Sequence, residues 1–150
     1  RLAQVSQACN RRYLDSLATL DSDTPIHNLV HQVCRPVHSN GQRVRALRPW
    51  SPEDQRLLQS INRGEFALNG LRNRDLLPHL YPEASSLPAQ QRGRYSARVT
   101  RKLRMLRAHG IIRKVTGTHR YVFTTRGRDI VTAILQSQQL TLAQLQKASA

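Results

Sequence analysis

The chain has 150 residues, of which 24 are Lys or Arg and 9 are Asp or Glu, so its formal net charge is +15 at pH 7. This length allows one domain with an appendage or two small domains, and 39% hydrophobic residues can form a modest core. Such a charge exceeds what solubility needs and favours a polyanionic partner. No run has the apolar length of a membrane span and no signal peptide is visible, so we expect a cytoplasmic protein. Nucleic acid is the first candidate for the polyanion, no membrane partner is predicted, and an anionic membrane is the rival surface. Because the chain opens with Arg1 rather than Met, we expect it to be part of a longer protein.

The first part of the chain predicts a pair of helices. Apolar residues recur at intervals of three and four, which is typical of an amphipathic helix, at Leu2, Val5, Cys9, Tyr13, Leu17 and Leu20. A polar interruption follows, and Thr24 before Pro25 predicts the capped start of a second helix. That helix is expected to run to about Cys34, with its apolar positions at Ile26, Leu29, Val30 and Val33.

Residues 37–48 predict a small hairpin. Asn40 and Gly41 form a pair that favours a tight β-turn, and the residues after it alternate in character. Arg43, Arg45 and Arg48 share one face if the strand continues to residue 47. A solvated loop that carries these charges is the alternative.

The next segment predicts two more helices. Ser51 and Pro52 mark a helix start, Leu57, Leu58 and Ile61 would form its buried face, and we expect Gly64 to end it. Residues 66–68 are a candidate short strand. Asn73 is the predicted cap of a compact helix whose buried residues are Leu76, Leu77 and Leu80. The connection over residues 82–93 is long, so either the following helix begins near Pro88 or a flexible basic loop precedes it.

Half of the basic residues lie between Arg92 and Arg128. This stretch of 37 positions holds 12 of the 24 Lys and Arg residues, and no acidic residue occurs between Glu83 and Asp129. A helix over residues 94–109 places an apolar stripe on one face, formed by Tyr95, Val99, Leu103 and Leu106. The opposite face carries Arg94, Ala97, Arg98, Arg101 and Arg104. Gly110 is then a suitable left-handed residue to end the helix.

A second hairpin and a final helix follow. Residues 111–115 and 120–124 are β-prone and are joined by a loop that contains Gly117. Thr125 is the predicted cap of a helix that runs to about Gln139. Residues 140–145 either extend that helix or begin a new one, and this end of the chain is either a dimerisation helix or an unpaired tail.

The run from Val99 to Arg113, with its Leu spacing and the sequence His109-Gly110-Ile111-Ile112, and the run from Tyr121 to Gly127 resemble the winged helix-turn-helix family of bacterial regulators. The resemblance implies a mainly α fold with small β-hairpins (α+β), in which residues 51–139 form the winged-helix domain. Residues 1–50 would be a preceding helical pair with a hairpin, and residues 140–150 a tail or helix extension. The chain also looks like the C-terminal part of longer bacterial proteins.

The resemblance also implies which residues contact DNA. Arg94, Arg98 and Arg101 are the candidates for reading bases, because Arg binds guanine through two hydrogen bonds. Phosphate contacts are expected from Lys102, Arg104 and Arg107, and contacts from the wing are expected from Lys114, Thr118, His119 and Arg120. A solvated basic face without a ligand is the alternative.

The sequence favours a binding protein over an enzyme. No pair of acids suggests acid–base catalysis, no phosphate-binding glycine loop is present, and we predict no catalytic residue, metal or cofactor. His27, His31 and Cys34 have helical spacing that a zinc site would use, but surface histidines beside a half-buried cysteine are the preferred interpretation. Cys9 and Cys34 are expected to be reduced rather than paired in a disulfide.

These observations predict binding to duplex DNA, most simply by a transcriptional regulator. The alternatives are the DNA-targeting C-terminal domain of a longer nucleic-acid-processing or mobile-element enzyme, and binding to structured RNA.

Overall fold

The computed structural model describes residues 26–148. The helix predicted from Leu2 to Leu20, Cys9 and the Thr24 cap lie outside the described residues. The described part is mainly helical with two short antiparallel hairpins, which confirms the predicted α+β class. In chain order its elements are α1 (Ile26–Val33), β1 (Val37–Ser39), β2 (Gln42–Val44), α2 (Pro52–Ile61), α3 (Gly64–Asn69), α4 (Asn73–Leu80), a 3₁₀ turn (Pro82–Ser86), α5 (Ala89–Ala108), β3 (Ile112–Lys114), β4 (Tyr121–Phe123) and α6 (Thr125–Ala148).

The first hairpin forms where the Asn-Gly pair predicts it. Asn40 and Gly41 have φ angles of 51° and 74°. Positive φ at both central residues is what a type I′ turn requires, and Asn and Gly adopt it at the least steric cost. Val44 at the end of β2 is buried and joins Val33 and Leu47 in the main apolar cluster. The hairpin is therefore packed onto the fold rather than being a solvated loop.

Helix α2 begins as predicted and ends earlier. The Ser51 hydroxyl accepts a hydrogen bond from the backbone N–H of Asp54 at 3.2 Å, and Pro52 occupies the first turn. Asn62, rather than Gly64, closes the helix, and Gly64 is the first residue of α3.

The strand predicted at residues 66–68 is wrong, because these residues belong to α3. Three apolar residues are too few to separate a helical period from a strand period, and Gly70, with a φ of 70°, ends a helix here. Extended backbone follows one residue later. Leu71 and Tyr121 exchange two backbone hydrogen bonds of 2.8 Å each, and this bridge joins the segment before α4 to β4.

The start of α4 differs by one residue from expectation, and the start of α5 agrees with one of the two predicted alternatives. Arg72, not Asn73, precedes α4, and its N–H donates to the Asp75 carboxylate at 2.9 Å. Helix α5 begins at Ala89 directly after Pro88, so the earlier of the two predicted starts is correct. Much of the long connection is a 3₁₀ turn in which Ala84 is buried, rather than a flexible loop.

The end of α5 is confirmed and the cap of α6 is corrected. Helix α5 ends at Ala108 with His109 as its C-cap residue, and Gly110 follows with a φ of 73°. The Thr124 hydroxyl, rather than that of Thr125, accepts a hydrogen bond from the N–H of Gly127 at 2.8 Å. Helix α6 continues without a break to Ala148, so the segment after residue 139 extends it.

One apolar cluster joins these elements. The predicted stripe of α5 is buried at Val99, Leu103 and Leu106, while Tyr95 is half-buried. The predicted core positions of α2, α4 and α6 pack with it, at Leu57, Leu58, Ile61, Leu76, Leu80, Ile130, Val131 and Ile134. Burial of this one face fixes the rotation of α5 and hence the direction of its charged residues.

Substitution of Gly127 tests how closely α6 packs on Ile111, the residue before β3. A Cβ at this position would overlap the Ile111 carbonyl oxygen and lie 2.5 Å from the Ile111 Cα, so backbone must move. We expect Gly127→Ala to lower the free energy of unfolding by about 3 kcal/mol. Chemical denaturation measures this change. Gly93→Ala is the matched control, because Gly93 lies in α5 with no atom within 4 Å of the added Cβ. It should raise the stability by up to about 1 kcal/mol, and an equal loss in both variants would contradict the packing account.

Candidate nucleic-acid interface

The outer ridge of α5 carries basic residues separated by small ones. Arg94, Ala97, Arg101 and Arg104 are exposed and lie opposite the buried stripe, as the helical period requires. Arg98 is also exposed, towards one flank. No carboxylate within residues 26–148 forms an ion pair with any of these guanidinium groups. The ridge is therefore a line of positive charge available to an external anion.

Arg98 is held in position by aromatic rings. Its Cζ lies 5.1 Å from the centroid of the Tyr95 ring, within the range of a cation–π contact. The Tyr81 ring, just after α4, lies 5.1 Å from that of Tyr95, so the ring beneath the Arg98 guanidinium is itself packed against a second ring. Fixing the side chain in this way reduces the entropy that it loses on binding.

The structure corrects the role predicted for Lys102. This side chain is 8% exposed, and its ammonium binds the Glu53 carboxylate at the start of α2. The hydrogen bond from the Lys102 ammonium also lowers the pKa of the Glu53 carboxyl. Lys102 borders the apolar stripe and reaches across to α2, so it joins two helices and does not lie at the surface as a phosphate contact would.

Two different neighbours flank α5. On one side the Asn73 side chain donates to the Ser96 carbonyl at 2.9 Å and to the Thr100 hydroxyl at 2.8 Å. On the other side Arg104 donates to the Gln42 side chain of the first hairpin, and His109 Nε2 lies 2.8 Å from the Arg45 carbonyl oxygen. The first hairpin therefore packs beside the C-terminal half of α5.

A groove of about 840 Å³ opens between this hairpin, the start of α2 and α5. Eight basic side chains and two carboxylates are among its lining residues. The basic residues are Arg43, Arg45, Arg48, Arg56, Arg98, Arg101, Lys102 and Arg104. Sequence reasoning grouped the three hairpin arginines but missed Arg56 and the groove itself, because no local pattern shows that the hairpin packs against α5.

Asp54 joins the hairpin to α2. Its carboxylate is 1% exposed and accepts hydrogen bonds from Arg45 Nη1 at 2.9 Å, Arg45 Nη2 at 2.8 Å and the Arg48 N–H at 2.8 Å. Burial alone raises the pKa of Asp54, but the hydrogen bonds from Arg45 and Arg48 outweigh it and hold that pKa below its usual value. Arg45 is therefore committed to the fold, unlike Arg43.

Four of the remaining predicted contact residues lie on or beside the second hairpin, and Arg107 lies in α5. Lys114, Thr118 and His119 are exposed and Arg120 is half-buried. The Thr118 hydroxyl donates to the Val115 carbonyl at 2.8 Å and so shapes the turn. Arg107 is exposed near the end of α5, so of the ten predicted contact residues only Lys102 is buried.

The sequence also singled out His27, His31 and Cys34. His27 and His31 stack with ring centroids 5.6 Å apart, and Cys34 carries a free thiol whose pKa is raised by burial. Over residues 26–148, no three His, Cys, Asp or Glu side chains meet as metal ligands. None of the described helices combines the length and apolar character needed to cross a membrane.

Comparison of the chain with protein-family models, with curated proteins and with solved structures finds no match.

Asp54→Asn tests the junction between hairpin and helix. We expect the free energy of unfolding to fall by about 2 kcal/mol at pH 7, because the substitution removes charge from a buried, hydrogen-bonded carboxylate. The folded pKa is lowered, so this stabilisation is present above the unfolded pKa of about 4 and is lost as the pH falls through the folded value. Denaturation from pH 7 to pH 3 should show the two proteins converging at the acid end. Glu65→Gln, at an exposed ion pair with Arg63, serves as control and should change stability by less than about 1 kcal/mol.

Proposed function

We propose that residues 51–139 are a winged helix-turn-helix domain that binds duplex DNA through α5 and the β3–β4 hairpin. The order of elements supports the proposal. Helices α2 and α3 are followed by the extended residue Leu71, then α4, α5 and the hairpin, and Leu71 pairs with β4. In this arrangement α4 and α5 are the two helices of the motif and the β3–β4 hairpin is the wing.

The arginines of α5, which are exposed and form no ion pair with a carboxylate among residues 26–148, carry the proposal. The major groove of B-DNA is about 12 Å wide and admits one helix, and small residues between arginines let the helix backbone approach the base edges. Ala97 supplies such a position between Arg94 and Arg101. Arg98 and Arg101 are proposed to read bases, and Arg104 and Arg107 to bind phosphates.

The long connection between α4 and α5 departs from the usual turn of three or four residues. It is nevertheless packed, with Ala84 buried and Tyr81 against Tyr95. The longer connection therefore still packs against α5. Transcriptional regulation at the nucleoid is the simplest biological role for such a domain.

The test compares Arg98→Ala and Arg101→Ala with the parent chain on a selected duplex and on random duplex DNA. We expect each substitution to weaken the selected site by about 10-fold or more, since a bidentate contact to guanine contributes about 1–3 kcal/mol of discrimination. Binding to random duplex should change much less.

Arg63→Ala is the matched control, because Arg63 is exposed and lies outside the groove in an ion pair with Glu65. It should leave both affinities nearly unchanged. Equal losses on selected and random DNA in the α5 variants would contradict a base-reading role.

A further inference from the structure

We infer that the groove between the first hairpin and α5 binds the sugar–phosphate backbone of the duplex that α5 reads, so that the β1–β2 hairpin acts as a second wing. This inference rests on the proposed binding to duplex DNA and adds to it the β1–β2 hairpin, which lies outside the winged helix-turn-helix domain at residues 51–139.

The charges of the groove support an anionic ligand. Both of its carboxylates are already engaged, Asp54 by Arg45 and Glu53 by Lys102. Six guanidinium groups in the lining therefore have no carboxylate partner among residues 26–148, and they belong to Arg43, Arg48, Arg56, Arg98, Arg101 and Arg104. Guanidinium forks match phosphate oxygens through paired hydrogen bonds.

The shape of the surface favours a polymer over a small anion. Arg98, Arg101 and Arg104 belong both to the groove lining and to the exposed side of α5, so the charge continues from the helix ridge to Arg43 on β2 and Arg56 on α2. A duplex whose major groove receives α5 presents a phosphate strand beside that helix. The hairpin is anchored there by buried Val44 and by the Asp54 junction, so Arg43 projects from a fixed support.

The inference separates two groups of arginines by what they recognise. Arg43 and Arg56 are exposed and belong to no ion pair in the described part of the chain, so they would contact phosphates without reading bases. Their loss should weaken every duplex sequence alike, whereas loss of a base contact alters sequence preference.

The experiment measures the affinity of the parent chain, Arg43→Ala, Arg56→Ala and the double variant for labelled selected and random duplex DNA over a salt series. Each lost phosphate contact should reduce the slope of log affinity against log salt by about 0.9, and the double variant by about 2. The reduction should be equal on the two duplexes. Arg56→Lys should restore the slope because it retains the charge, and Arg63→Ala should leave it unchanged.

The outcomes distinguish this inference from the proposed function. Tight duplex binding with unchanged slopes in the double variant would overturn the second wing and leave the α5 proposal standing. A parent chain that binds duplex DNA no better than other polyanions would overturn the proposed function, and the second wing with it. Competition with sodium tripolyphosphate tests for a small-anion site, with sodium chloride at the same ionic strength as the control. If tripolyphosphate displaces the duplex from the parent chain where sodium chloride does not, and does not displace it from the double variant, the groove is a small-anion site instead.

Discussion

Burial of one side of α5 is the constraint on which the rest of the structure depends. Val99, Leu103 and Leu106 are almost completely buried and fix the rotation of the helix about its axis. Because side chains on a helix repeat every 3.6 residues, that rotation turns Arg94 and Arg101 outward. A different rotation would expose apolar surface at roughly 25 cal/mol per Å². The basic ridge is thus positioned by the same packing that stabilises the fold.

The acids near α5 are used inside the molecule. Asp54 holds the first hairpin on α2, and Glu53 holds Lys102 against the core, so neither carboxylate neutralises the outward-facing arginines. Concentrated like charge destabilises a compact protein by self-repulsion. Under the proposed function, an anionic ligand would offset this repulsion along α5 and in the neighbouring groove when bound.

Sequence patterns predict several local features, fail at others where the pattern is short, and miss those that depend on distant contacts. The Asn40-Gly41 turn, the Ser51 cap and the Gly110 stop each follow from the chemistry of one or two residues. The strand predicted at residues 66–68 is wrong because so short a run has no resolvable period. The pairing of Lys102, a predicted phosphate contact, with Glu53 cannot be read from the sequence, because the two residues are 49 positions apart. The groove was likewise invisible, since it requires the hairpin, α2 and α5 to meet.

Binding of the chain to labelled duplex DNA, duplex RNA and single-stranded DNA over a salt series tests the central claim most directly. If about six phosphates are contacted, log affinity should fall against log salt with a slope near −5 on duplex DNA. The account predicts a clear preference for duplex DNA that persists at physiological salt. Equal binding to all three nucleic acids, lost together as salt rises, would contradict it. That result would show nonspecific electrostatic binding by a basic protein.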